Sequence, residues 1–76
     1  MPDPEYIALG RALAALRRRA GLTQVQAGDT VDVGSTYISA VERGHKGVSW
    51  KTLNGLLRAY NTTLKQLAEE IERGFG

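Results

Sequence analysis

Apolar residues recur along this chain at three- and four-residue intervals, and each run is short and cut off by a turn residue. That period fits amphipathic helices and no strand, whose apolar positions would alternate. Pro2 and Pro4 keep the first few residues out of a helix interior, and a first helix is predicted from Tyr6. Tyr6, Leu9, Leu13, Leu16 and Ala20 share one face. Gly21 ends this helix after Arg17-Arg18-Arg19, a composition suited to the negative end of a helix dipole.

Thr23-Gln24-Val25-Gln26 has the pattern of a capping box, with Thr23 and Gln26 each bonding the other's backbone N–H. It predicts a short second helix, about Gln24 to Thr30. Gly28 inside it implies that another backbone comes close. Val31-Asp32-Val33-Gly34 reads as a turn with Val33 buried. Ser35 or Thr36 opens a third helix to about Arg43, with Ile38 and Val41 inward and Gly44 as its stop. Ser49 caps a fourth helix through about Tyr60, with Trp50, Leu53, Leu56, Leu57 and Tyr60 on its apolar side. Trp50 and Tyr60 are expected in the core. Asn61 is a left-handed stop. Thr63 caps a fifth helix with Leu64, Leu67, Ala68 and Ile71 inward. Glu69, Glu70 and Glu72 read as a solvated face of this helix. The sum is an all-α fold of five helices in a single domain, residues 1–76.

A chain of 76 residues without cysteine has neither disulfides nor thiolate metal sites, so it depends on its helical core or on a dimer. No apolar run approaches the roughly 20 residues of a membrane span, and the start is not a signal peptide. A soluble, cytoplasmic protein without membrane association is expected. Charge is uneven. Residues 11–58 carry Arg11, Arg17, Arg18, Arg19, Arg43, Lys46, Lys51 and Arg58 against Asp29, Asp32 and Glu42, a surplus of +5, while both ends are acidic. A basic middle suits a polyanion such as nucleic acid, although a solvated mixed-charge surface has the same arithmetic.

Two short helices and a tight turn over about residues 23–43 form a helix-turn-helix. The residues Gly21-Leu22-Thr23-Gln24, Tyr37-Ile38-Ser39 and Val41-Glu42-Arg43-Gly44, with Ser49-Trp50-Lys51-Thr52-Leu53 beyond them, resemble the signature of Cro and lambda-repressor-like (XRE family) DNA-binding domains over about residues 9–71. Three positions depart from the family pattern. Gly28 replaces the usual alanine. Asp32 replaces the usual turn glycine. Gly34 replaces the serine or threonine that usually caps the recognition helix.

The resemblance implies sequence-specific binding of double-stranded DNA by a transcriptional regulator, a Cro-like repressor or a restriction–modification controller. A homodimer on a pseudo-palindromic operator is expected, with half-sites roughly 34–36 Å apart. It also assigns residues. Gln24 meets the DNA backbone and braces the recognition helix. Ser35, Thr36, Ser39 and Ala40 face the bases, and Tyr37 packs or bonds a phosphate. Arg43 and Lys46 touch phosphates, with Lys51, Arg18 and Arg19 as weaker candidates. Arg17 pairs with Glu42 as a structural ion pair between the first and third helices. None of the base-facing side chains makes a bidentate base contact, so DNA shape is expected to carry much of the specificity. Leu64, Leu67, Ile71 and Phe75 are the candidate dimer interface.

The alternative is a helical protein-interaction module, such as an antitoxin or anti-repressor, whose mark would be the loss of DNA-contact groups; Gln24, Arg43 and Lys46 are retained. No catalytic constellation is present, and Asp29, Asp32 and Glu42 lack His or Cys partners at metal spacing. No enzyme activity, cofactor, metal or small-molecule ligand is expected.

Overall fold

A computed structural model describes residues 2–75, with the side chain of Phe75 outside the description. Five helices follow one another: α1 (Pro4–Arg19), α2 (Gln24–Thr30), α3 (Ser35–Glu42), α4 (Trp50–Ala59) and α5 (Leu64–Phe75), with no strand among the described residues. None of these helices is long and apolar enough to cross a membrane.

Local chemistry explains where each helix starts. Asp3 Oδ1 accepts from the backbone N–H of Glu5 at 2.8 Å, and Pro4 occupies the first turn. The helix therefore begins before Tyr6, because a proline there forfeits no intrahelical hydrogen bond. At α2, Thr23 Oγ1 accepts from Gln26 N at 3.1 Å and Gln26 Oε1 accepts from Thr23 N at 2.9 Å, closing the capping box. Thr63 and Gln66 repeat that reciprocal pair at α5, and Ser49 Oγ accepts from Thr52 N at α4. Only α3 starts without a side-chain cap, at Gly34.

The ends of α1 to α4 share one device. In each, a residue with positive φ lets the chain fold back so that the next N–H bonds a carbonyl five residues earlier: Leu22 to Arg17, Val33 to Gly28, His45 to Ala40 and Thr62 to Leu57. The reversing residues are Gly21, Asp32 (φ 58°), Gly44 and Asn61 (φ 53°). Asp and Asn are the side chains that tolerate this conformation best.

The core joins all five helices through Leu13 and Leu16 of α1, Ala27 of α2, Ile38 and Val41 of α3, Leu56, Leu57 and Tyr60 around α4, and Leu67 of α5. Packing runs from α1 to α3 and α5, and from α2 to α3 and α4. Two glycines permit close approaches. A Cβ on Gly28 would strike the Val33 carbonyl oxygen, and one on Gly10 would stand 2.6 Å from the Glu42 carbonyl oxygen, where α1 crosses the end of α3.

The apolar phase misplaces several side chains. Trp50 is 61% exposed and Leu64 50%, and Tyr6, Ala20 and Ala68 also face solvent. Trp50 and Leu64 are the first residues of their helices. A helical side chain covers the turn N-terminal to its own Cα, so both project past the end of the packed layer. Ala68 follows the buried Leu67 by one residue and is rotated off its face. Val33 is half-buried.

Candidate nucleic-acid interface

The turn Val31–Gly34 sets α2 and α3 in a helix-turn-helix arrangement. Ile38 and Val41 bury one side of α3. On its other side Thr36 is exposed and Ser35, Ser39 and Ala40 are half-buried, while Tyr37 packs against the core and Arg43, just past the helix, is exposed. This surface is short-chained and polar. It ends in the cationic segment Arg43-Gly44-His45-Lys46, whose backbone is fixed by the reversal at Gly44. Lys46 Nζ lies 5.6 Å from the centroid of the Tyr37 ring, a cation–π placement that keeps ammonium and phenol side by side at this end of α3. Arg43 Nε turns back to the Ser39 carbonyl at 3.3 Å.

A buried polar knot holds this surface in place. Arg17 Nε donates to Glu42 Oε2 at 2.7 Å and Nη2 to Glu42 Oε1 at 3.1 Å, while Nη1 donates to the Leu22 carbonyl at 2.8 Å. Glu42 Oε1 also accepts from Gln24 Nε2 at 3.0 Å. The side chains of Arg17 and Glu42 are only 10% and 7% exposed. One guanidinium thus ties α1, the entry to α2 and the end of α3 together. The hydrogen bond to Glu42 raises the Arg17 pKa above its ordinary value against the opposing effect of burial. Tyr60 reaches the same knot from the end of α4. Burial, reinforced by the negative charge of Glu42, pushes its phenol up to about 12.

The arginine run has three destinations. Arg17 points inward and Arg18 is exposed. Arg19 Nη2 pairs with Glu70 Oε1 on α5 at 2.5 Å, and Arg73 approaches Glu70 Oε2 at 3.4 Å. Glu70 is therefore not part of a solvated face: its side chain is 10% exposed between two arginines. Arg19, turned toward α5, is drawn away from α3. The Gln24–Glu42 bond, the Glu70 pair and the Gly10 crossing were not foreseen from the sequence. Gln24 was placed as a brace without its partner, and neither glycine spacing nor a lone glutamate signals the other two.

On α5, Leu67 is 1% exposed and is covered by the chain's own core, so it offers no surface of the kind expected of an interface residue. Its position in the middle of α5, facing α1, accounts for this. Ile71 is half-buried against the core and Leu64 is exposed, while the Phe75 side chain lies outside the described residues. Among the described residues no group of His, Cys, Asp and Glu could hold a metal ion.

Comparison with known proteins places these features in context. Residues 8–70 match a family described as helix-turn-helix domain. A competence pilus inhibition repressor from Acinetobacter baylyi is 37% identical over 67 residues, covering 84% of this chain and 61% of that protein. The chain thus matches less than two thirds of that relative's length. The crystal structure of the clp gene regulator ClgR from Corynebacterium glutamicum superposes with a TM-score of 0.89 at 26% identity, covering 100% of this chain and 97% of that one. The restriction-modification controller protein C.AhdI from Aeromonas hydrophila superposes with a TM-score of 0.79 at 26% identity, covering 86% and 98%.

Proposed function

We propose that this chain, which belongs to the helix-turn-helix domain family, is a transcriptional regulator that binds double-stranded DNA sequence-specifically as a homodimer on a pseudo-palindromic operator. The observation that carries the reading is the outer row of α3, polar and short-chained, clamped to α1 and α2 by the Arg17–Glu42–Gln24 knot and bordered by Arg43 and Lys46. A rigid helix end with free hydroxyls and a cationic border suits a major groove and its flanking phosphates.

In this reading Ser35, Thr36 and Ser39 meet base edges, with Ala40 allowing close approach. Gln24, Tyr37, Arg43 and Lys46 meet the backbone. Small side chains give modest direct readout, so groove shape contributes to specificity. The repressor relative and the controller and regulator neighbours support a regulatory role, and occupancy of an operator is the simplest mode of repression for so small a domain. Leu64 and Ile71 on α5 are the apolar side chains proposed for the contact between two copies.

Selection from a random duplex pool, followed by binding titrations at several salt concentrations, tests the proposal. A two-fold symmetric motif with half-sites roughly 10 base pairs apart is expected. Arg43→Ala and Lys46→Ala each remove one phosphate contact from both copies, so each should lower the slope of log K against log salt by about 1.8 without changing the motif. Absence of binding, or binding without an enriched motif, would overturn it in favour of a protein-interaction module.

A further inference from the structure

Resting on that DNA-binding reading, we infer that Trp50 contacts the duplex beside the bases approached by α3, lodging against a deformable base step at the flank of the site and supplying part of the sequence preference. Trp50 is 61% exposed at the start of α4, an unusual position for the largest apolar side chain of a small domain.

The surroundings of the indole indicate its partner. Trp50 lines a shallow concavity with Lys51 and Arg58 of α4 and with Thr30, Val31 and Asp32 at the end of α2. Two cations against one carboxylate leave this wall positive, which favours a polyanion. Thr30 to Asp32 lead directly into Gly34, the N-cap of α3. Trp50 therefore shares a wall with the turn that leads into α3, whose N-terminal end enters the groove in helix-turn-helix complexes. Lys46, at the other end of α3, precedes it by four residues. Both links run from the indole to segments that flank the proposed DNA surface.

The chemistry of α3 leaves such a contact a task. Its outward side chains are small, so preference must be drawn partly from DNA deformation. Apolar side chains that wedge at pyrimidine–purine steps read that property, because these steps unstack most easily.

Trp50 is the only tryptophan, so its emission reports on this site alone. The experiment titrates the full chain with a fluorescein-labelled duplex selected from a random pool, following DNA anisotropy and tryptophan emission in parallel. Quenching of emission and loss of acrylamide accessibility should saturate together with anisotropy. Trp50→Ala should keep its helical circular dichroism, bind the selected duplex roughly tenfold more weakly, and lose preference between duplexes with TA or CA steps and those with GG steps at the flank. A rise in anisotropy with unchanged emission would overturn the inference and leave the DNA-binding reading intact. Emission that shifts with protein concentration before DNA is added would overturn it in favour of a protein contact. No rise in anisotropy would remove the DNA-binding reading and this inference with it.

Discussion

Helix α1 is tied to its neighbours by two arginine–glutamate pairs that begin two residues apart, and they are built differently. Arg17 and Arg19 lie about 200° apart around the helix, so one faces α3 and the other α5. On the α3 side both partners are nearly buried, and the guanidinium also holds the Leu22 carbonyl while the carboxylate also holds Gln24. On the α5 side Arg19 is 58% exposed, and Glu70 shares itself with an exposed Arg73. The same two functional groups thus make a rigid knot in one place and a wet latch in the other. The difference teaches where this fold needs geometry: behind the helix that presents the candidate DNA-reading row.

Breaking the inner pair should have the largest effect. Glu42→Leu leaves a guanidinium nearly buried with only a carbonyl partner, and Arg17→Met leaves the carboxylate with only an amide. Each is expected to cost about 3–5 kcal/mol, a large share of the stability of so small a domain. Replacing both, as Arg17→Met with Glu42→Leu, should recover part of that loss, because no uncompensated charge remains. Chemical denaturation of the two single variants and the double variant checks this. A double variant as unstable as the sum of the singles would show that the pair is not the unit.

The inner and outer pairs also differ in how far the sequence reveals them. Helix starts and stops depend on a few neighbouring residues, so Thr23 with Gln26, Ser49, Thr63, Gly21, Gly44 and Asn61 were all legible. Asp32 was legible only through the family pattern, where it stands in place of the usual turn glycine, and its φ of 58° is the one that glycine would adopt. Helical phase gives the side of a helix but not where the packed layer ends, which is why Trp50 and Leu64 were misplaced. Gly10 reads as a weak helix former until α3 crosses it. The position of Arg17 opposite Glu42 came through family resemblance, and nothing local pairs residues 25 apart. Glu70 looked solvated because charge on a helix is the ordinary mark of a surface, and only the approach of α1 reveals otherwise.

Tyr60 extends the comparison into a pH dependence. Its phenol sits by the inner knot, 5% exposed, and its pKa rises from 10.0 to about 12. The unfolded chain ionises this group near pH 10 while the folded chain resists. Stability tied to it is therefore complete below pH 10 and is lost as the pH climbs to about 12. The expected loss is on the order of 2–3 kcal/mol. Denaturation midpoints across that range should fall less steeply for Tyr60→Phe than for the parent. Parallel curves would mean that the phenol is not held neutral beside Glu42.

The outer pair provides the smallest effect and the sharpest control. Arg19→Ala should cost no more than about 1 kcal/mol, because water solvates the arginine and Arg73 remains to face Glu70. Whatever it contributes should shrink in roughly 1 M salt, where the Debye length is about 3 Å. The inner pair, shielded from ions, should keep its cost under the same conditions. Thermal melts of Arg19→Ala and Arg17→Met at low and high salt make the test direct. If Arg19→Ala proves as costly and as indifferent to salt as Arg17→Met, burial is not what separates the two pairs. The partially buried Glu70 carboxylate would then be the common cause, and α5 would be held as rigidly as α3.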